Sequence, residues 1–220
     1  MIFKKILPVF TIILFFNSIS CDNNQEIQEI EKTSIDYTYI DNSDSIKKLS
    51  ESINNSPSDP ELYFERGNLF LKSNQLINAR KDFDKTIDLM PEATLAYIYR
   101  AKVFFELEEI EKATLDYSKA IDLTQNNWEL FKFRGITYQH SQNYQNAIED
   151  FSQALEIRLE EFQDIENQKI QISNLYFLRG SSYASLKKYD QALIDFENAL
   201  NFFSNNIEAK NSIKRISKIK

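Results

Sequence analysis

The chain has 220 residues, with 26 lysines and arginines against 33 acids, a formal charge of −7, one cysteine and one histidine. An acidic chain without a clustered basic face is a poor nucleic-acid binder, one cysteine allows no internal disulfide, and one histidine (His140) allows no histidine cluster for a metal. A glycine-rich phosphate loop is absent, and no serine or cysteine nucleophile stands with a histidine base and a third group at recognisable spacing, so neither catalysis nor a cofactor is expected.

Lys4 and Lys5 precede an apolar run from Ile6 to Phe16, and small polar residues lead to Cys21. That order of zones reads as a secretory signal over residues 1–20. The apolar run is too short for a transmembrane span, which takes about 20 residues. The lone cysteine follows Asn17-Ser18-Ile19-Ser20, a placement that resembles the lipobox of bacterial lipoproteins, although Ser18 departs from the leucine usual three before the cysteine. The resemblance implies cleavage before Cys21, lipid on its sulfur, and an anchor in a bacterial envelope membrane, outer rather than inner. Loss of residues 1–20 removes two lysines and no acid, so the mature charge is 24 − 33 = −9. From Asp22 to Asp44 seven acids face Lys32 alone, and residues 21–42 read as an acidic flexible tether. Such a tether would hold the following domain on the order of 25 Å from the bilayer. Within it Ile35, Tyr37, Tyr39 and Ile40 are more apolar than a tether requires.

Residues 43–220 carry a repeat. All three glycines fall in one context: Tyr63-x-x-Arg66-Gly67-x-x-Phe70, Phe131-x-x-Arg134-Gly135-x-x-Tyr138 and Tyr176-x-x-Arg179-Gly180-x-x-Tyr183. Gly67 and Gly135 are 68 residues apart, and midway, after 34, Tyr97-x-x-Arg100-Ala101-x-x-Phe104 repeats the phrase. A second phrase follows each at a fixed offset: Ala79-x-x-Asp82-Phe83, Ala113-x-x-Asp116-Tyr117, Ala147-x-x-Asp150-Phe151 and Ala192-x-x-Asp195-Phe196. Tyr63, Gly67 and Phe70 share one face of a helix, and Ala79, Phe83, Thr86 and Ile87 share a face of the next. Small residues in the middle of apolar faces predict closely approaching helices, with aromatics filling the space beside them. One such pair cannot bury its own face, so neighbours must stack into a solenoid.

The pattern resembles the tetratricopeptide repeat, a helix-turn-helix unit of 34 residues. On the family's unit, repeats start near residues 60, 94, 128 and 173. The aromatic falls at position 4, the small residue at position 8, alanine at position 20 and a further small residue at position 27 (Thr86, Ala120, Ala154, Ala199). Position 32 keeps its proline at Pro91, and upstream at Pro57, but holds Gln125, Leu159 and Ser204 in the later repeats. The resemblance implies an all-α, right-handed α-solenoid of about four hairpins. Upstream, Ser45, Leu49 and Ser52 fit positions 20, 24 and 27 of a lone second helix near 43–54, whereas Glu29, Thr33 and Asp36 would occupy the core of a matching first helix. An insertion of 11 residues, at about 159–172, lengthens the second helix of repeat 3, the first helix of repeat 4, or both. Downstream, Ala209, Ile213 and Ile216 stripe a terminal capping helix, and Lys210, Lys214, Arg215, Lys218 and Lys220 read as its solvated face.

Arg66, Arg100, Arg134 and Arg179 each precede an aspartate by 16 residues, which predicts ion pairs within the hairpins rather than a ladder for an acidic ligand. The family usually holds its ligand in a concave groove lined by first-helix positions 2, 5, 9, 12 and 13. Positions 5, 9 and 12 here are Phe64, Asn68 and Leu71; Ile98, Lys102 and Phe105; Lys132, Ile136 and Gln139; Phe177, Ser181 and Ala184. Phe64 and Asn68 depart from the carboxylate clamp of chaperone-binding relatives, so capture of a free C-terminus is not expected. Apolar anchors with a few polar partners suit a segment of another protein. The core faces read as Tyr63, Gly67, Tyr97 and Ala101, so Phe64, Ile98 and Phe105 are expected to be removable without unfolding. The resulting expectation is a non-catalytic scaffold tethered to a bacterial envelope membrane, without metal or nucleic acid. The alternative is a glycan- or nutrient-binding accessory lipoprotein, for which the single tryptophan, Trp128 at a helix start, is a weak platform.

Overall fold

The computed structural model describes residues 42–124 and 126–219; the signal segment, Cys21 and the tether as far as Asp41 lie outside them. Among the described residues ten helices follow one another: α1 (Ser43–Asn55), α2 (Pro60–Lys72), α3 (Leu76–Leu89), α4 (Thr94–Glu106), α5 (Ile110–Leu123), α6 (Trp128–His140), α7 (Tyr144–Glu160), α8 (Glu166–Ser185), α9 (Tyr189–Phe202) and α10 (Ile207–Ile216). Each packs on the helix before and the helix after it, and α2 also touches α4, as α6 touches α8. The result is an all-α solenoid of four hairpins between two single helices, with no strand among the described residues.

Helix starts are set by local chemistry. Asp59 accepts from the Glu61 N–H with Pro60 at the first helical position, Asn127 accepts from the Glu129 N–H, and Asn206 accepts from the Ala209 N–H. The turn inside each hairpin contains a non-glycine residue in the left-handed region: Asn74, Glu108, Gln142 and Lys187, at φ 55, 58, 60 and 59. Around each, two backbone bonds close the first helix, as in Gln75 N–H to Phe70 O at 2.8 Å and Asn74 N–H to Leu71 O at 3.0 Å. The glycines meanwhile sit inside helices, with no positive φ among them.

Their role is spatial. A Cβ on Gly67, Gly135 or Gly180 would stand 2.8, 2.7 or 2.8 Å from Cε1 of Phe83, Phe151 or Phe196. These three rings are essentially buried, and each contributes about 2–3 kcal/mol by leaving water. Repeat 2 uses the other solution, with Ala101 on the first helix and Tyr117 on the second.

The arginines pair as expected and also do something more. Arg66 donates Nε and Nη2 to Asp82 at 2.7 Å each, and Arg100, Arg134 and Arg179 grip Asp116, Asp150 and Asp195 in the same two-pronged way. The third nitrogen, Nη1, reaches back to the preceding repeat: Ser50 at 3.0 Å, Asp84 at 2.7 Å, Ser118 at 2.9 Å and Ser152 at 3.1 Å. Arg66 lies beside Tyr63 and Phe70, Arg100 beside Tyr97 and Phe104, Arg134 beside Phe131 and Tyr138, and Arg179 beside Tyr176. One residue therefore ties two helices of a hairpin to each other and to their predecessor.

The insertion lengthens both flanking helices. α7 runs to 17 residues and α8 to 20, starting seven residues before Ser173, with Asp164 at φ 55 in the break. Arg158 holds the extension by donating to Gln171 Oε1 at 3.0 and 2.6 Å, and Phe162 sets its edge on Phe202 at 5.7 Å. At the far end, α10 buries Ala209 and Ile216, which fall at positions 3 and 10 like the buried Ala96 and Val103 of α4. Its Lys210 and Lys214 stand where the repeats need an aromatic and a small residue, so no further helix can close on it.

Two outcomes follow for stability. Gly135→Ala should lower it by about 1–2 kcal/mol although alanine is the better helix former, because the methyl meets buried Phe151. In a Phe151→Leu background the same change should be neutral or stabilising; equal costs in the two backgrounds, read by denaturant midpoints, would contradict the contact. For the ion pair, hydrogen bonds to Asp150 hold Arg134 above its ordinary pKa, against burial. Burial pushes the deeper Asp150 carboxyl up, against the pull of Arg134; the exposures are 6% and 19%. Arg134→Met strands that carboxylate and should cost about 3 kcal/mol at pH 7. A folded-state pKa above the unfolded one contributes stability below the unfolded value, about 4, and loses it as pH rises. The gap between variant and wild type should therefore be smaller at pH 4 than at pH 7, and a pH-independent gap would contradict this account.

Candidate functional site

The first helices α2, α4, α6 and α8 bring the residues named from the sequence onto neighbouring elements, but not as one open surface. Phe64 is half-buried, its ring 5.9 Å from Phe83 and 5.6 Å from Tyr99. Phe177 likewise lies 5.8 Å from Phe196. Both therefore pack on the rings that cover the glycines, and the expectation that Phe64 is removable without affecting the fold does not hold for this geometry. Leu71 joins Phe64 against the Ala79–Phe83–Val103 cluster, and Ile98 packs against Tyr97, Ala120 and Leu130. Gln139 bridges to α8, donating to Leu178 O at 2.9 Å and Ser182 Oγ at 2.8 Å. Ser181 donates to Phe177 O within its own helix.

Three of the named residues do converge. Lys102, Phe105 and Ile136 line a pocket of about 170 Å³ between α4 and α6, floored by Tyr117 and Phe133. Phe105 touches His140 edge-on at 5.1 Å. The ammonium of Lys102 lies 4.7 Å from the Tyr99 ring and 5.4 Å from Phe133. Lys132 shares the Phe133 ring at 4.5 Å and rests 4.9 Å from Trp128. Neither lysine forms an ion pair among the described residues. Burial lowers the Lys132 pKa and the charge of Lys102 lowers it further, against the pull of Glu129. Burial, then the Glu106 carboxylate at the pocket, raises that of Tyr117.

Sequence reasoning missed Tyr99 and Phe133, both at position 6, which carry the lysines. An aromatic at that position in two consecutive repeats was the available signal. It also missed Tyr117, the one hydroxyl among the four second-helix rings. Asn68 lies elsewhere, in a separate notch of about 500 Å³ between α1 and α2, where its Oδ1 is buried without a hydrogen-bond partner. Trp128 is flanked by Lys132 and by Arg158 at 5.3 Å, so its face is already occupied. Among the described residues no group of three or more His, Cys, Asp or Glu could hold a metal ion, and no helix is long and apolar enough to cross a membrane.

The family model of the tetratricopeptide repeat matches residues 133–161 and 173–206. No curated protein matches the chain in sequence. Among solved structures, one of MamA is similar over 71% of this chain and 85% of its own, with 19% identity and a TM-score of 0.64. MamA from residue 41 to its end, from Desulfovibrio magneticus RS-1, is similar over 74% of this chain and 86% of its own, with 15% identity and a TM-score of 0.64. The N-terminal domain of stress-induced protein-1 from C. elegans is similar over 56% and 94%, with 19% identity and a TM-score of 0.50. At these identities the likeness is one of fold.

The packing separates core from surface within the named set. Phe64→Ala should lower stability by about 3 kcal/mol, as removal of a packed ring does, whereas Phe105→Ala at the half-buried pocket rim should cost about 1 kcal/mol. Equal shifts in denaturation midpoint would place the two side chains in the same environment, contrary to the structure.

Proposed function

We propose that this chain, a non-catalytic tetratricopeptide-repeat protein of the kind that mediates protein–protein interaction, is an envelope scaffold that holds a segment of a partner protein in its concave groove. The observation that carries the reading is the pocket between α4 and α6, lined by Lys102, Phe105 and Ile136, with Lys132 on the Phe133 ring that also lines it. An apolar recess takes one side chain of the segment, and the lysines orient its polar groups. Half-buried cations on rings are already partly desolvated, so a partner displaces little ordered water to meet them. Phe64 and Phe177 set the wall of the groove by fixing the hairpins, and Leu71, Ser181 and Gln139 complete its length. The glycan alternative loses its platform, since both cations beside Trp128 compete for that ring.

Anchoring belongs to the same proposal. The signal-like residues 1–20 and the lone Cys21 support a bacterial lipoprotein, with the acidic segment 21–42 as the tether and the outer membrane as its location. Both halves are read in one native cell. Photo-crosslinked partners of wild type and Phe105→Ala/Lys132→Glu are compared, and the double variant should lose the main adduct at unchanged helicity. An identical adduct pattern would remove the groove from the account. In parallel, Cys21→Ala should lose metabolic acyl label and detergent partitioning, and equal labelling would end the lipid anchor.

A further inference from the structure

Arg66, Arg100, Arg134, Arg158 and Arg179 each hold a carboxylate. Lys102 and Lys132, both half-buried, hold rings instead. Among the four repeats lysine stands at position 9 only as Lys102 and at position 5 only as Lys132, so the two cations come from consecutive first helices. Both ammoniums lie within 5.4 Å of the Phe133 ring centre. Burial lowers the Lys132 pKa and the charge of Lys102 lowers it further, so the pair is mutually repelling as it stands. Beside it Tyr117 lines the pocket at 3% exposure, and its hydroxyl forms no hydrogen bond among the described residues. Phe83, Phe151 and Phe196 fill the same position in the other repeats, so packing does not call for that hydroxyl.

We propose that the partner segment already assigned to the groove, a reading on which this one rests, carries a single carboxylate side chain shared by Lys102 and Lys132 and a neighbouring glutamine that enters the pocket and accepts from Tyr117. An acid supplies the opposite charge to two cations that are already partly desolvated. One acid suits the site better than several, because Glu106 lines the pocket and Glu129 pulls on Lys132, and both oppose further negative charge. The same repulsion disfavours a phosphate dianion, and this chain's own residues 22–41, which carry six acids to one lysine. In the pocket the methylenes of glutamine meet Phe105, Phe133 and Ile136, and its carbonyl oxygen takes the buried hydroxyl; a leucine there would leave Tyr117 desolvated and unpaired. Lys102 and Phe133 border both places, so the two side chains project from one face of an extended segment, two residues and about 7 Å apart.

The test titrates the full chain with capped, rhodamine-labelled nine-residue peptides read by anisotropy, with glutamine at position 4, glutamate, glutamine or lysine at position 6, and serine and glycine elsewhere. The glutamate version should bind about tenfold more tightly than the glutamine version, and the lysine version not at all. Lys102→Gln and Lys132→Gln should each reduce that preference. Lys102→Glu/Lys132→Glu should transfer it to the lysine version, a gain that an unfolded chain cannot show. Leucine at position 4 should weaken binding about fivefold, and Tyr117→Phe, which installs the ring of the other repeats, should remove this difference. No binding of the glutamate version at millimolar concentration overturns the proposal. So do equal affinities for glutamate and glutamine, a preference that survives Lys102→Glu/Lys132→Glu, leucine binding as tightly as glutamine, or tighter binding of a phosphoserine version. Tighter binding once all six acids of residues 22–41 are replaced by their amides would give the lysines to this chain's own segment, whatever its register, and equally overturn it. Self-association lost in Lys102→Glu/Lys132→Glu would give them to a second copy, with the same consequence. Adducts lost in Phe105→Ala/Lys132→Glu without a glutamate preference would remove this chemistry and leave the groove, whereas the preference with unchanged adducts would remove the groove's partner alone.

Discussion

The approach of a second-helix ring to a small residue on the first helix sets the geometry on which the rest depends. With Phe83, Phe151 and Phe196 lying where a Cβ would stand, the two helices of those hairpins are as close as backbone and ring allow. That closeness brings each arginine within reach of its aspartate, because the two prongs leave no slack between helices. It also gives a reason for a helix-interior glycine, which costs about 1 kcal/mol relative to alanine and must be offset by packing. The ring in turn is part of the wall from which the groove is built, through Phe64 and Phe177. Core and candidate groove are thus one layer thick in places.

How much of this could be read from the chain depends on what repeats. Helix order, the half-repeat at α1, the capping helix and the Arg–Asp pairs each recur or align in register, and a signal that recurs separates packing from coincidence. Single-copy features were less legible. The insertion's break at Asp164 uses a left-handed residue with no glycine or proline to announce it. The pocket at Tyr117 arises from a difference between repeats, alanine and tyrosine where the others have glycine and phenylalanine, and differences read from one sequence look like drift. Phe64 was misjudged as free because position alone does not tell whether a ring on the groove side bends back onto its own hairpin.

The two recesses differ in physical kind. The pocket between α4 and α6 is small, aromatic and flanked by cations that have found rings instead of acids. The notch at α1 is larger and runs between two helices, α1 and α2. A recess for one side chain discriminates by local chemistry, whereas a helix-length recess discriminates by periodicity.

The backward reach of each arginine gives the array a direction. Every hairpin closes its own ion pair internally and asks only its predecessor for the remaining hydrogen bond. A chain emerging from the ribosome therefore meets each requirement with material already made, and no finished hairpin waits on one still to be synthesised for this contact. Trimming from the C-terminus would remove hairpins one at a time and leave every upstream arginine satisfied. Loss of α1 would leave Nη1 of Arg66 without Ser50, while its two prongs to Asp82 remain. Growth of such arrays by duplication is correspondingly simplest at the tail, where a new hairpin arrives carrying its own link to what is already there.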